Sequence, residues 1–191
     1  MKIGVLGAGA FGTALAVALA REGQEVGLWA RDPEQAARLQ AERRNERRLP
    51  GVDLPDSVSV SAEITSVAQA DILLLAVPMQ QMSGLLTAHG DLLDRHALIG
   101  CAKGVDLASG RGPTAIIGEA CPNALAAILT GPSFATDIAR GLPTALTLAC
   151  QDDAQGADLQ EALATSVLRL YRTTDTLGAE LGGALKNVVA I

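Results

Sequence analysis

A glycine-rich segment near the start of the chain limits what the chain can fold into. The residues Gly7-Ala8-Gly9-Ala10-Phe11-Gly12 follow a short apolar run and precede an alanine-rich helical pattern. Between a strand and a helix, this G-x-G-x-x-G pattern is typical of a turn that receives a pyrophosphate. Gly7 permits the tight turn, Gly9 lets the backbone approach the phosphates, and Gly12 lets the helix pack closely on the strand. The alternative is a tight strand-to-helix turn without a ligand, since glycine triplets also arise by chance.

Short apolar runs alternate with helical patterns along most of the chain. This alternation implies right-handed crossovers and a Rossmann-like α/β fold, with a doubly wound, mostly parallel sheet. Only four residues are aromatic, so the core must consist of small and branched aliphatic side chains, which suits such a sheet. The predicted strands are Lys2–Leu6, Glu25–Ala30, Val58–Ser61, Ile72–Val77, Ala97–Ala102, Leu125–Leu129, Thr144–Ala149 and Val167–Tyr171. The predicted helices are Phe11–Glu22, Pro33–Arg44, Ile64–Ala70, Met79–His89, Pro113–Ala120, Phe134–Ala139 and Asp153–Thr165.

The charge balance argues against nucleic acid as a partner. The formal net charge is −6, and negative charge repels a phosphodiester backbone. One basic run, Arg43-Arg44-Asn45-Glu46-Arg47-Arg48, stands against this balance. Two interpretations of the run stay open: a solvated loop, and a loop that handles a phosphorylated ligand.

The three cysteines and the short apolar runs indicate the compartment. Cys101, Cys121 and Cys150 are far apart and show neither zinc spacing nor a disulfide framework, so no metal site is expected. Reduced thiols predict a cytoplasmic protein. Because the sequence begins directly on a predicted strand, no signal peptide is expected, and Ile72–Val77 is too short to cross a bilayer.

The end of the second predicted strand bears on the choice of dinucleotide. An NAD-specific site usually has an acidic residue there to bind the adenine ribose, at position 30 or 31 of this chain. The chain has Ala30-Arg31-Asp32 instead. Arg31 can bind a 2′-phosphate through its guanidinium group, which favours NADPH. Asp32 leaves NADH open, and Arg31 as a plain surface residue is the remaining alternative.

Three further segments follow strands and are expected at the ligand-binding edge of the sheet. They are Ala76-Val77-Pro78, Lys103-Gly104 and Gly131-Pro132-Ser133-Phe134-Ala135. Ser133 is either the cap of the following helix or a residue that faces a ligand.

The lysines are rare enough to invite a chemical reason. The chain has twelve arginines but only three lysines, Lys2, Lys103 and Lys186. Lysine can transfer a proton when partial burial lowers its pKa, whereas arginine stays charged. Lys186 lies in an apolar helical pattern beside Asn187, where a buried ammonium group needs a partner. The alternative for Lys186 is an ordinary surface residue.

The last residues differ from the rest of the chain. Between Leu181 and Ile191 the only polar residues are Lys186 and Asn187. A helix that is apolar on nearly all sides is normally buried on all sides. We therefore expect a nucleotide-binding domain over residues 1–177, and over residues 178–191 the first helix of a second, helical domain that continues beyond this chain.

Together these motifs resemble the bacterial NAD(P)-dependent sn-glycerol-3-phosphate dehydrogenase family over the whole chain. The matching segments are Gly7–Ala16, Leu28–Pro33, Asn45 with Leu49-Pro50-Gly51, Ala76-Val77-Pro78, Lys103-Gly104, Thr130–Ala135 and Glu180–Ile191. The last two are far more specific than the glycine loop. The resemblance implies reduction of dihydroxyacetone phosphate to sn-glycerol 3-phosphate for phospholipid synthesis, with NADPH or NADH as the cofactor. Arg31 favours NADPH of the two.

The resemblance also implies roles for individual residues. Those expected to contact the dinucleotide, with the loop glycines Gly7, Gly9 and Gly12, are Ala10, Phe11, Arg31, Lys103 and Ala135. Lys103 would lie between cofactor and substrate, Gly131 and Ser133 would face the substrate, and Lys186 would be the general acid–base residue. The family's helical domain should add an aspartate and an Arg-Asn pair beyond Ile191, so this chain is expected to bind dinucleotide with little or no turnover.

Two rival functions share part of this evidence. Related dehydrogenases of hydroxy acids share the glycine loop and a late lysine, but not the Gly131–Phe134 and Gly183–Asn187 motifs together. A dinucleotide-sensing module would need the glycine loop and Arg31 but no proton-transfer lysine. A homodimer is also open.

Overall fold

The computed structural model describes residues 2–189, and side chains as far as Leu185. The strands are β1 (Lys2–Leu6), β2 (Glu25–Trp29), β3 (Arg44–Asn45), β4 (Leu49–Asp53), β5 (Val58–Ser61), β6 (Ile72–Leu75), β7 (Ala97–Gly100), β8 (Leu125–Thr130), β9 (Thr144–Cys150) and β10 (Leu168–Thr173). The helices are α1 (Ala10–Arg21), α2 (Pro33–Glu42), α3 (Ile64–Val67), α4 (Met79–Leu93), α5 (Pro113–Ala120), α6 (Ala135–Ala139), α7 (Asp153–Leu163) and α8 (Thr176–Val189).

Eight strands form one sheet in the order β10-β9-β8-β7-β6-β1-β2-β5. All neighbouring pairs are parallel except β8–β9, which is antiparallel. The predicted Rossmann-like, mostly parallel sheet is confirmed. Because β1, β2, β6, β7 and β8 run in the same direction, their carboxyl ends meet at one edge, which we call the glycine-loop edge. β9 and β10 run the other way and end at the opposite edge.

Helices cover both faces of the sheet. On one face, Ile3 and Val5 of β1 pack with α1, which is buried along most of its length. On the other face, Leu73 and Leu75 of β6 pack with the residues of α4 and α5. The core is almost entirely aliphatic, as the low aromatic content predicts. The small side chains of α1, mostly alanine, let this central helix lie close to the sheet.

The basic run forms the first strand and the turn of a hairpin, where the sequence suggests a loop. β3 and β4 pair in an antiparallel two-stranded sheet of their own. Leu49, Val52 and Leu54 are buried in the core against α1 and α2, and they hold the hairpin on the body of the domain. The expectation of solvation fits the arginines, since Arg44 is exposed and pairs with Asp53.

Helix α8 begins at Thr176, a few residues before the predicted apolar segment, and packs on β8 and β9. In the described part of α8 the usual burial pattern is reversed. Leu177, Leu181 and Leu185 are exposed to solvent, whereas the carboxyl group of Glu180 is buried. The side chain of Lys186 lies outside the described residues. Within residues 2–189, no helix combines the length and the apolar character that a membrane span needs.

Candidate dinucleotide site

The glycine loop has the backbone geometry of a tight strand-to-helix turn. Gly7 has a φ of 128°, and a Cβ there would lie 2.6 Å from the Ala76 carbonyl oxygen, so only glycine fits. A Cβ at Gly12 would overlap the Gly7 carbonyl oxygen, which explains how α1 approaches β1 so closely. Gly7 N–H donates to the Trp29 carbonyl at 3.0 Å, and this bond ties the turn to the end of β2.

Gly9 differs from Gly7 and Gly12 because the space that a side chain would occupy is empty. It precedes α1 with an extended backbone (φ −77°, ψ −179°) that any residue can adopt. Apart from Gly9 and its two chain neighbours, no heavy atom of the described residues lies within 4 Å of the position of a Cβ at Gly9. The start of α1, with its unpaired N–H groups and positive dipole end, faces this space. The loop therefore offers open space and backbone N–H groups to a pyrophosphate, and the roles of Gly7, Gly9, Ala10, Phe11 and Gly12 stay predictions.

Two side chains outside the loop hold the carbonyl of Ala8. The buried Asn45 of β3 donates from Nδ2 to the Ala8 oxygen at 3.1 Å and to Thr13 Oγ1 at 2.7 Å. Gln35 of α2 donates from Nε2 to the same Ala8 oxygen at 3.3 Å. The sequence did not single out these contacts, because an amide in a charged run carries no sign that it points inward.

Arg31 and Asp32 follow β2 at the glycine-loop edge. Arg31 is exposed and donates from Nη1 to Gln81 Oε1 at 3.4 Å. Asp32 is the N-cap of α2, where Oδ1 accepts from the Glu34 N–H at 3.0 Å. One carboxylate oxygen of Asp32 is thus engaged in capping, whereas the guanidinium group of Arg31 is exposed to solvent beside the loop.

Lys103 lies in the segment between β7 and α5, which polar contacts order. Gln80, in the first turn of α4, accepts from the Leu107 N–H at 2.9 Å and donates to the Val105 carbonyl at 2.8 Å. Asp106 accepts from the N–H and the hydroxyl of Ser109, and these bonds lower the pKa of the Asp106 carboxyl. The exposed Lys103 is therefore carried by a tethered segment at the glycine-loop edge.

The end of β8 and the segment that follows it contain two buried hydroxyl groups. In the part of the chain that the structure describes, Thr130 Oγ1 and Ser133 Oγ are buried and have no hydrogen-bond partner. Ser133 does not cap α6, because Phe134 occupies the N-cap position, so that interpretation of Ser133 is wrong. A buried unpartnered hydroxyl is uncommon in folded proteins and fits a group that receives a ligand. Gly131 has a φ of 153°, and a Cβ there would lie 3.1 Å from Leu146.

Helix α8 is fixed to this edge by two close contacts. Glu180 Oε1 accepts from the N–H and the hydroxyl of Thr114 at the start of α5, each at 2.7 Å. A Cβ at Gly183 would lie 2.5 Å from Thr130 Oγ1, so glycine is needed for α8 to pass the end of β8. The backbone of Lys186 follows Gly183 by less than one helical turn.

Five predicted segments therefore meet at one edge of the sheet. These are the glycine loop, Arg31, the turn at Pro78, Lys103 and the segment Gly131–Ala135, each of which follows one of the parallel strands β1, β2, β6, β7 and β8. In open α/β sheets, ligands bind beyond the carboxyl ends of the strands. The fold and the loop together are those of a Rossmann-like, dinucleotide-binding domain.

Comparison with known proteins gives the family. Residues 2–156 match the family model described as the N-terminus of NAD-dependent glycerol-3-phosphate dehydrogenase. A curated relative from Ruegeria sp. (strain TM1040), named glycerol-3-phosphate dehydrogenase [NAD(P)+], is 56% identical over 191 residues, which are 100% of this chain and 59% of the relative. A relative of the same name from Cereibacter sphaeroides is 61% identical over 189 residues, which are 99% of this chain and 57% of the relative.

A solved structure with the same enzyme name as both relatives has the same fold as this chain. The crystal structure of glycerol-3-phosphate dehydrogenase from Coxiella burnetii superposes with a TM-score of 0.92 at 33% identity, covering 99% of this chain and 58% of that one. The chain belongs to the NAD-dependent glycerol-3-phosphate dehydrogenase family and matches its N-terminal part. It spans a little under three fifths of the length of the curated relatives described above.

Proposed function

We propose that this chain carries the dinucleotide-binding part of an enzyme that reduces dihydroxyacetone phosphate to sn-glycerol 3-phosphate with NAD(P)H. The observation that carries the proposal is the meeting of the glycine loop, Arg31, Lys103 and Ser133 at one edge of the sheet, where the buried Ser133 hydroxyl has no partner among the described residues. The names of the curated relatives support the same reaction. The bound dinucleotide supplies the hydride, and the residues of this chain bind it, orient the substrate and move the proton.

For the dinucleotide, we propose contacts from Ala10, Phe11 and Ala135 in addition to the loop glycines, and a preference for NADPH through Arg31. Arg31 is exposed beside the loop, while Asp32 is engaged as a helix cap and is less suited to bind a ribose hydroxyl. A guanidinium group binds a 2′-phosphate with charge-assisted hydrogen bonds, for which NADH offers no acceptor.

For the substrate, we propose that Lys103, Gly131 and Ser133 face dihydroxyacetone phosphate. Lys103 brings a positive charge to the edge where the carbonyl and the phosphate of this substrate would lie. Within the described residues the buried Ser133 hydroxyl makes no hydrogen bond, and a substrate hydroxyl or carbonyl would provide one. The φ of Gly131 and its closeness to Leu146 keep the backbone at this point free of a side chain.

For the proton transfer, we propose Lys186 as the general acid. A proton must reach the C2 oxygen as hydride arrives, and a cation stabilises the developing alkoxide. The path of α8 supports this role: β10 ends at the edge opposite the glycine loop, and the 14 residues of α8 cover about 21 Å on the way back. Gly183 lies against Thr130, the last residue of β8, so the backbone at position 186 comes close to the glycine-loop edge.

The catalytic proposal is tested on a chimera in which residues 1–191 are joined to the remaining part of the Ruegeria relative. We expect NADPH oxidation that depends on dihydroxyacetone phosphate. Lys186→Ala should lower kcat at least about 100-fold and leave NADPH affinity almost unchanged. The matched control is Lys2→Ala, which removes an exposed lysine paired with Glu25 at the other edge. Substrate-independent oxidation by the wild type, or full turnover by Lys186→Ala, would overturn the corresponding part of the proposal.

The cofactor preference is tested by binding to this chain itself. Arg31→Ala should weaken NADPH binding about 10- to 100-fold, which corresponds to one charge-assisted interaction, and leave NADH binding almost unchanged. Arg38→Ala, an exposed arginine on α2, is the control. Equal losses for both dinucleotides would refute the assignment of Arg31 to the 2′-phosphate.

The domain division, the cellular location and the oligomeric state belong to the same proposal. We propose the division into residues 1–177 and 178–191, with the second range belonging to the substrate domain. A cytoplasmic location and a homodimer stay predictions, and size-exclusion chromatography with light scattering tests the dimer.

A further inference from the structure

The basic run contains one residue that points inward, and its partners lie in the glycine loop. Asn45 is buried between exposed charged neighbours. Its amide nitrogen carries two protons, and the two hydrogen bonds described above use both: one to the Ala8 oxygen and one to Thr13 Oγ1. The side chain therefore joins the hairpin to both sides of the loop, the turn before α1 and the first turn of α1 itself.

The Ala8 carbonyl accepts from two side chains that come from different elements. Asn45 reaches it from β3 and Gln35 from α2. A carbonyl oxygen has two lone pairs, so both bonds can form at once. The oxygen is thereby drawn toward the hairpin and α2, away from the open side of the loop.

Because the peptide group is planar, the contact that holds the Ala8 oxygen also sets the direction of the Gly9 N–H. In a trans peptide, the carbonyl of one residue and the N–H of the next point in opposite directions. The structure has no cis peptide bond in its described residues, so fixing the Ala8 oxygen fixes the direction of the Gly9 N–H. The Gly9 N–H makes no hydrogen bond within residues 2–189. It points away from the hairpin, and a Cβ at Gly9 would find open space.

We propose that Asn45 and Gln35 are positioning residues, which hold the Ala8–Gly9 peptide in the orientation that presents the Gly9 N–H to the dinucleotide pyrophosphate. The inference rests on the proposed dinucleotide binding, and it assigns part of that binding to residues that do not touch the ligand. Preorganised N–H groups bind an anion without reorganising when it arrives, so the two amides lower the cost of binding.

The first experiment measures NADPH affinity of this chain by calorimetry. Asn45→Asp keeps the shape but removes both donors and turns an oxygen toward the Ala8 carbonyl. We expect about tenfold weaker binding, the loss that corresponds to one misdirected hydrogen bond. Gln35→Ala removes only the longer bond from a half-buried side chain, and we expect about threefold weaker binding with an intact fold. Asn123→Ala, which removes an exposed amide bonded to Asp94 at the opposite edge, should bind like the wild type.

A second readout does not depend on the ligand. In the amide NMR spectrum of the free chain, Asn45→Asp and Gln35→Ala should both shift the Gly9 resonance, whereas Asn123→Ala should not. In the chimera, Asn45→Asp should raise KM for NADPH and leave kcat and KM for dihydroxyacetone phosphate unchanged. A merely structural role would lower the unfolding temperature of the variant and change all the kinetic constants together, not KM for NADPH alone.

The outcomes distinguish this inference from the proposed function. Unchanged NADPH affinity and an unchanged Gly9 resonance in the folded Gln35→Ala variant would overturn the positioning role, even if Asn45→Asp does not fold. A wild type that binds no dinucleotide, with the Gly9 resonance still shifted in the variants, would support the control of the loop and overturn the proposed function. Weaker binding together with the shifted resonance supports both.

Discussion

Replacing Gly9 with alanine is expected to separate folding from dinucleotide binding. The backbone at Gly9 is extended and therefore available to alanine, and among the described residues only Gly9 and its chain neighbours lie within 4 Å of the added methyl group. The free energy of unfolding should change by less than about 1 kcal/mol, the usual difference between glycine and alanine at an N-cap. The methyl group would, however, occupy the space through which a pyrophosphate approaches. Losing one or two charge-assisted hydrogen bonds should weaken NADPH binding about 10- to 100-fold.

The measurement combines urea unfolding with calorimetric titration of NADPH, and two other glycines provide controls. Gly84→Ala lies on the exposed side of α4 with nothing near its Cβ, so it should stabilise the chain by up to about 1 kcal/mol and leave binding unchanged. Gly12→Ala would overlap the Gly7 carbonyl and should lose stability and binding together. If Gly9→Ala binds NADPH within threefold of the wild type, the pyrophosphate does not approach Gly9 and the reasoning is wrong.

Three other predictions concern stability and reactivity. Glu180→Ala should lower the free energy of unfolding by about 2 kcal/mol, because it leaves two partly buried donors of Thr114 without their acceptor. The exposed Glu161→Ala should cost less than about 0.5 kcal/mol in the same urea titration. Hydrogen bonds from Gln155 lower the pKa of Asp152 in the folded chain, so its stabilisation is complete above the unfolded-state pKa of about 3.9 and is lost as the pH falls through the lower folded value. The difference in urea midpoint between the wild type and Asp152→Asn should therefore shrink on acidification, and a constant difference from pH 7 to 3 would contradict it. Burial raises the pKa of Cys101 to about 12, so its alkylation by iodoacetamide at pH 8 should be no faster than unfolding, and rapid labelling of the folded chain would disprove this.

The sheet could be predicted from the sequence because its signals are local. Each predicted strand is present, since an apolar run of four to six residues between turn residues has few other uses in a chain of this composition. The ends differ where the chain leaves the sheet early: the predicted strand Ile72–Val77 stops at Leu75, before Pro78. The direction of β9 could not be predicted, because pairing partners are chosen by packing over the whole domain and leave no local mark.

The hairpin and the contacts around the site could not be predicted for a related reason. β3 and β4 are short, contain Pro50-Gly51 and lack the alternation of a half-buried strand, so charge is the strongest local signal in this segment. Asn45 and Glu180 act through partners that are distant in sequence, Ala8 and Thr114, and only the folded chain brings these pairs together. Ser133 shows the limit of local rules, because the sequence allows a cap or a ligand-facing hydroxyl at this position and the structure gives the cap position to Phe134.

The position of Trp29 makes the chain suited to optical measurement. It is the only tryptophan, it is 7% exposed, and its indole N–H donates to the Ala62 carbonyl at 2.8 Å. Its own carbonyl holds Gly7, so the chromophore is attached to the turn that is expected to contact the pyrophosphate. All intrinsic tryptophan emission therefore originates beside the glycine loop, and a reduced nicotinamide bound at that edge would accept its excitation energy. Quenching of this single emitter, followed by stopped flow, would give association and dissociation rates without a label.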